Sequence, residues 1–388
     1  MDSAPRHVNP YGVFLAAWLS FLAIGSTLPI IPRYVHGPLD SGDLAVGVAT
    51  GAFAVTAIIC RPFAGRAADA RGRRRVFVAG ACITAVAGLV YLLPLGVPGL
   101  LLARLVLGAG EGLVFTAGAA WTVDLADPER HGRSIGLFGL AIWVALSAGP
   151  VIGEILRSVS YDAVWLFAAA APAAGALIAH RQPERHTPVA RATGRASLLP
   201  AAAIRPGLGL GCAAVGFATL ASFVVLHLER EGVAHAPVAF VAFAAAVVLM
   251  RTVAGRLPDV IGGRPTAIGA GVAEVIGLAV IALATSLPVA IAGAVVMGMG
   301  FSVLFPAFAL VVVSETDDQR RGAALGAFSA FFDAGVGLGG LIAGAVAATA
   351  GYPAAFWVGA GFAAVGVGVT VVSAHRAGEL SLPERAPA

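Results

Sequence analysis

The chain has 388 residues, of which 59% are hydrophobic and 12% charged, with a net charge of +4. Its 25 basic residues, all arginine, and 21 acidic residues are too few and too clustered to cover the surface of a soluble domain of this size. The mean hydropathy of +0.89 and the 50 glycines point to a chain built for the bilayer, where glycine is common inside helices.

In chain order, the opening stretch MDSAPRHVNPYGVFLAAWLSF has no small-residue cleavage site after a short apolar core, so it reads as a tail entering the first helix. Cutting the rest at charges, prolines and turn residues gives twelve apolar spans: 11–32, 44–68, 76–94, 98–123, 133–157, 161–180, 205–228, 236–258, 265–286, 288–314, 321–347 and 352–374. Runs of about 20 apolar residues predict transmembrane helices. An even number puts both termini on one side, and basic loops stay in the cytoplasm. With the N-terminus inside, only Arg33, Arg104, Arg157 and Arg230 fall near the outer side, while Arg61 and Arg251 lie within spans and can snorkel to the inner interface. The expected class is an all-α membrane protein with twelve transmembrane helices in two six-helix, pseudo-symmetric halves. The halves are 1–180 and 205–388, the second ending in a short cytoplasmic tail. Residues 181–204, rich in arginine and proline, form a cytoplasmic linker.

The halves repeat. Shifted by 190 positions, RPFAGRAADARGRR (61–74) meets RTVAGRLPDVIGGR (251–264), so that Arg61, Gly65, Asp69, Gly72 and Arg74 meet Arg251, Gly255, Asp259, Gly262 and Arg264. The same register pairs Gly108 and Gly110 with Gly298 and Gly300, and Arg130 and Phe138 with Arg320 and Phe328. Parallel six-helix repeats are the arrangement of a rocker-type transporter with its site between the halves.

These motifs resemble the major facilitator superfamily. The G-x-x-x-D-x-x-G-R-R loop after the second span resembles its loop signature. RLVLGAGEG (104–112) resembles its basic helix-4 motif, and SAGPVIGE (147–154) its Gly-Pro antiporter motif. GEGLVFTAGAAWTVDLADPERHGR and FFDAGVGLGG look most like bacterial proton-linked drug or sugar efflux proteins. Two departures stand: Glu154 replaces the second glycine of the antiporter motif, and the second loop copy has one arginine fewer.

Several residues become candidates. Asp69 sits at the C-terminal end of a helix, which disfavours a negative charge, so it needs a cationic partner or a helix N-terminus. Arg73 and Arg74 lie one turn away. The resemblance implies that Gly65, Asp69, Gly72, Arg73 and Arg74, with Gly255, Asp259 and Arg264 in the second copy, form a conformational latch. The competing reading is that the arginines only anchor topology. Gly149, Pro150 and Gly153 mark the antiporter-motif helix, as a hinge or close-packing point or as an ordinary proline kink. Glu111 and Asp333 lie mid-span, and intramembrane acids are functional candidates. With Arg104 they form the expected proton-coupling and cavity set, Arg104 alternatively serving as an interfacial anchor. Glu274 reads as one side of a structural pair, with a transport role as the alternative, and Glu154 and Asp124 as solvated helix-end groups.

No enzyme is indicated. GAGEG lies inside an apolar helix rather than after a strand, no P-loop is present, and Cys60, Cys82 and Cys212 are isolated. No cofactor, no metal and no nucleic-acid partner are expected. The expected partners are a small-molecule substrate, protons and the bilayer, for a monomer in the inner (plasma) membrane. The function expected is proton-coupled efflux of a small organic molecule such as a drug, natural product or sugar. The alternatives are proton-linked uptake of a sugar or organic acid, and a non-transporting membrane sensor.

Overall fold

The computed structural model describes residues 11–126, 131–184, 200–316 and 321–376. Among these residues there are helices and no strand. The helices are α1 Tyr11–Thr27, α2 Ile30–His36, α3 Asp43–Arg71, α4 Arg73–Val90, α5 Gly96–Leu125, α6 His131–Arg157, α7 Tyr161–His180, α8 Ala201–Arg230, α9 Pro237–Ala254, α10 Leu257–Ile261, α11 Gly263–Ala282, α12 Leu287–Ser314, α13 Arg321–Ala350 and α14 Tyr352–Arg376. The first span is α1 and α2 together, interrupted at Leu28–Pro29, and the eighth is α9 with the short α10. Among the described residues, eleven segments are long and apolar enough to cross a membrane. The remaining expected span, α4, opens on three arginines, Arg73 to Arg75, ahead of its apolar remainder.

The chain divides into two compact units, one ending at Gly194 and the other starting at Arg195. The repeat is visible in the backbone. Gly72 splits α3 from α4 at φ +98°, and its counterpart Gly262 splits α10 from α11 at φ +95°. A side chain at that φ is strained, so the turn selects glycine twice. Packing repeats as well. A Cβ on Gly108 of α5 would lie 1.9 Å from the Phe53 carbonyl oxygen of α3, and one on Gly298 of α12 would lie 2.6 Å from that of Phe243 on α9. Small residues let these helix pairs pack backbone to backbone, as membrane helices must without a hydrophobic driving force between them.

Two boundaries differ from expectation. Helix α8 starts at Ala201, so residues 201–204 are helical rather than linker. Arg181 to Glu184 are not linker either, because they fold back onto the first unit. There Arg74 Nη1 donates to the Gln182 carbonyl at 3.2 Å, and Trp121 Nε1 donates to that of Pro183 at 3.2 Å. The rest of the expected linker, Arg191 included, lies outside the described residues, as do Arg130 and Arg320.

Candidate functional site

In the first unit, α3 and α5 bring two intramembrane charges together. Arg61 Nη2 donates to Glu111 Oε1 at 3.2 Å, with both side chains about nine-tenths buried. The guanidinium carbon lies 4.5 Å from the centre of the Phe115 ring, one helical turn past Glu111. Phe115 in turn meets Phe21 of α1 and Phe138 of α6 edge-on or tilted. Arg61 therefore turns inward to an acid rather than outward to the interface, correcting the snorkelling expectation. The glycines beside Glu111 serve packing. A Cβ on Gly112 would lie 3.0 Å from the Ala57 carbonyl oxygen, and one on Gly110 would strike Thr84 and the Gly80 carbonyl oxygen on α4.

Arg104, two turns from Glu111 on the same helix, is fully buried. Its Nε donates to the Ala49 carbonyl at 2.7 Å and its Nη2 to that of Thr50 at 2.9 Å, while its guanidinium covers the Phe53 ring. These contacts clamp α5 to the α3 backbone. Nothing in them brings Arg104 to Glu111.

The loop cluster is built from three elements. Arg73 Nη1 donates to Asp69 Oδ1, one turn back, and Arg73 Nε donates to Asp124 Oδ2 at 3.1 Å at the end of α5. Asp124 is thus paired rather than merely solvated. Burial pulls the Arg73 guanidinium down, and the bonds to Asp69 and Asp124 outweigh it and hold it above its usual range. Helix α4 begins with arginines at its positive end, an unfavourable placement. Glu184 offsets it by accepting from the Arg74 backbone N–H at 3.1 Å. It also rests against Gly72, where a Cβ would lie 2.2 Å from Glu184 Oε1. In the second unit Arg264 pairs with Glu315 at the end of α12, and Asp259 is exposed on α10. Beside that pair is a small cleft whose walls include Arg205, Phe308 and Thr370.

The antiporter-motif helix packs on α1. A Cβ on Gly149 would lie 2.5 Å from the Gly25 backbone carbon, and one on Gly153 would lie 2.1 Å from the Ser26 carbonyl oxygen. Pro150 lies between them inside α6. Glu154 accepts from Arg33 Nη1 at 2.9 Å and from Arg157 Nη2 at 2.7 Å. The residue departing from the motif thus ties α2 to α6 instead of facing solvent alone. Asp333 is 2% exposed on α13, and Gly335 packs against the Gly211 carbonyl of α8. Glu274 is fully buried on α11, and neither of its carboxylate oxygens has a hydrogen-bond partner. The expected pair is not formed. Among the described residues no group of His, Cys, Asp and Glu is arranged to hold a metal.

The family model of the Major Facilitator Superfamily matches residues 13–235 and 206–386. The chain belongs to the major facilitator superfamily. An uncharacterised MFS-type transporter of Salmonella typhimurium is 32% identical over 371 residues, spanning 93% of this chain and 95% of that protein. Another, from Pseudomonas aeruginosa, is 31% identical over 397 residues, spanning 97% and 96%. Among solved structures, a human organic anion transporter aligns over 95% of this chain and all of its own at 20% identity and TM-score 0.74. The nucleoside transporter NupG aligns over 94% and 98% at 16% identity and TM-score 0.72. These structural likenesses establish the fold. The curated relatives are transporters and not enzymes. As a superfamily member the chain is a multi-pass membrane transporter of small molecules.

Sequence reasoning missed five partners in this transporter: Arg61 for Glu111, Asp124 for Arg73, Glu184 for Arg74, Glu315 for Arg264 and Arg33 for Glu154. Each pair joins elements far apart in the chain, and no spacing in the sequence signals it.

Proposed function

We propose that this transporter is a proton-coupled antiporter that exports a small organic molecule, such as a drug, natural product or sugar, by alternating access. Both termini lie in the cytoplasm in this reading. The observation that supports it best is the buried Arg61–Glu111 pair against Phe115. Proton binding to the Glu111 carboxylate removes its charge and weakens its hold on Arg61. Loss of that proton restores the pair. A group with two such states lets proton and cargo compete for one site or one conformation. Gly149 and Gly153 of α6, packed against α1, together with the Asp69–Arg73–Asp124 cluster, supply rigid packing that a rocking half needs.

A second reading is supported by the same arginine. With Glu111 protonated, Arg61 is a buried cation above an aromatic ring and suits the carboxylate of an organic acid. Proton-linked movement of an organic anion follows from that chemistry. A human protein of the same fold is an organic anion transporter.

Glu111→Gln keeps the shape and removes the charge. In proteoliposomes this variant is expected to lose pH-gradient-driven transport while keeping cargo exchange at zero gradient. A panel of cationic, neutral and acidic cargo separates the two readings. Gradient-driven transport at the parental rate in Glu111→Gln overturns the assignment of Glu111.

A further inference from the structure

The repeat register aligns Glu274 of α11 with Thr84 of α4. In the first unit the Thr84 hydroxyl donates to the Gly80 carbonyl at 3.0 Å, so that position is self-satisfied. In the second unit the same position carries a carboxyl group with no exposure and no hydrogen-bond donor on either oxygen. The space around it is cut to fit. A Cβ on Gly216 of α8 would lie 2.6 Å from Glu274 Oε1. The first-unit counterpart of Gly216 is Ser26. One side chain has grown from threonine to glutamate, and the residue facing it is glycine where the first half has serine. Gly300 of α12 closes the other side, where a Cβ would lie 3.2 Å from the Glu274 backbone nitrogen.

The ionisable neighbours are few. On α8, Cys212 lies within electrostatic reach, and His227 contacts α11 two turns further on, at the Ile281 carbonyl. Helix α12 has no ionisable residue between Leu287 and Ser314. Helix α14 carries ionisable groups only near its ends, at Tyr352, His375 and Arg376. The remaining neighbour, α10, carries Asp259. None of these is a cation in contact with the carboxyl. An ionised carboxylate with neither donor nor cation is among the most costly groups to bury, whereas the neutral acid is tolerated.

We propose that Glu274 is a second proton-binding site, separate from the Arg61–Glu111 pair, and that its bound proton is what lets α8, α11 and α12 pack tightly. The proton binds one carboxylate oxygen and gives a neutral acid lying against Gly216. Its release needs water, and water reaches the carboxyl only when α8 parts from α11. The site therefore reports, and responds to, the packing of the second unit. This holds whether or not Glu111 couples transport.

Infrared difference spectroscopy of the full-length protein in lipid nanodiscs at neutral pH tests it. The parent is expected to show a protonated-carboxyl C=O band that is absent from Glu274→Gln and present in Glu111→Gln. Glu274→Asp, which keeps an acid at the site, is expected to shift the band without abolishing it, and it decides the matter where Glu274→Gln fails to accumulate. A protonated-carboxyl region identical in parent and Glu274→Gln, or unshifted in Glu274→Asp, overturns the proposal. Because this readout involves no transport, it stands apart from the fate of the coupling assignment at Glu111.

Discussion

Removing either member of the Arg61–Glu111 pair should destabilise the first unit far more than removing both suggests. At 3.2 Å and an effective dielectric of about 20, the attraction is about 5 kcal/mol. The cost of taking two charges out of water is several kcal/mol for each, so the intact pair contributes little net stability. A broken pair is different, because the remaining buried charge loses this attraction. Arg61→Ala or Glu111→Ala alone should therefore lower the unfolding free energy by about 3–5 kcal/mol. Arg61→Ala carries an additional loss, since its guanidinium sits over Phe115, a contact worth about 2 kcal/mol when desolvated. The double variant Arg61→Ala/Glu111→Ala removes both charges of the pair together. It should be no less stable than the worse single variant, leaving a coupling of about 3 kcal/mol in the cycle. Reversible unfolding by SDS in mixed micelles, followed by circular dichroism, measures all four proteins on one scale. If the single effects add to within about 0.5 kcal/mol, the two charges do not interact and the pair is not the feature argued here.

Asp69→Asn should insert at normal abundance yet transport poorly. Asp69 is half exposed, so its pair with Arg73 is worth less than about 1 kcal/mol of stability, and a large transport defect would have to arise from conformational switching. Asp259→Asn should have the smaller effect, and equal rates in Asp69→Asn and parent proteoliposomes would refute the latch. Gly153→Ala puts a Cβ 2.1 Å from the Ser26 carbonyl oxygen, where ordinary contact begins at 3.4 Å, so α1 and α6 must part. Its cost should reach the top of the overpacking range, about 3 kcal/mol, while Gly136→Ala, which meets nothing within 4 Å, should stay within about 0.5 kcal/mol. A cysteine introduced as Arg191→Cys should resist impermeant thiol reagents in intact cells, and ready labelling there would invert the proposed topology.

What the sequence made legible was whatever backbone stereochemistry writes into residue choice. Gly72 and Gly262 are readable because a positive φ selects glycine, and Gly108 and Gly298 because a facing carbonyl leaves no room for a Cβ. The start of α8 is not legible because Arg205 and Pro206 interrupt the apolar run just after it. So near a helix end, that proline costs only the bond to Ala202. Pairings were harder for a general reason. Helices α5, α12 and α14 are apolar nearly all round, so no amphipathic stripe shows which face meets which neighbour. Arg61 and Glu111 are on separate helices, and Glu184 reaches Gly72 from beyond α7, so only the packed structure brings them together.

The two halves share their scaffold and differ in their acids, and that difference bears directly on mechanism. Arg61 and Arg251 occupy matching positions, but Glu111 is matched by Phe301, and Thr84 by Glu274. The first half therefore holds its acid on α5, paired with an arginine. The second holds a buried acid on α11, packed against a bare glycine with no donor on it. A duplicated bundle needs glycines at the same places in both copies, because close packing and turn geometry are common to both. It does not need acids at the same places. An acid held by a cation exchanges one partner for another when it binds a proton. An acid held in an apolar slot changes only its own charge, and its helices must open to let that happen. If both acids take up protons, a transporter with one of each has two different ways to make proton binding and helix packing depend on each other.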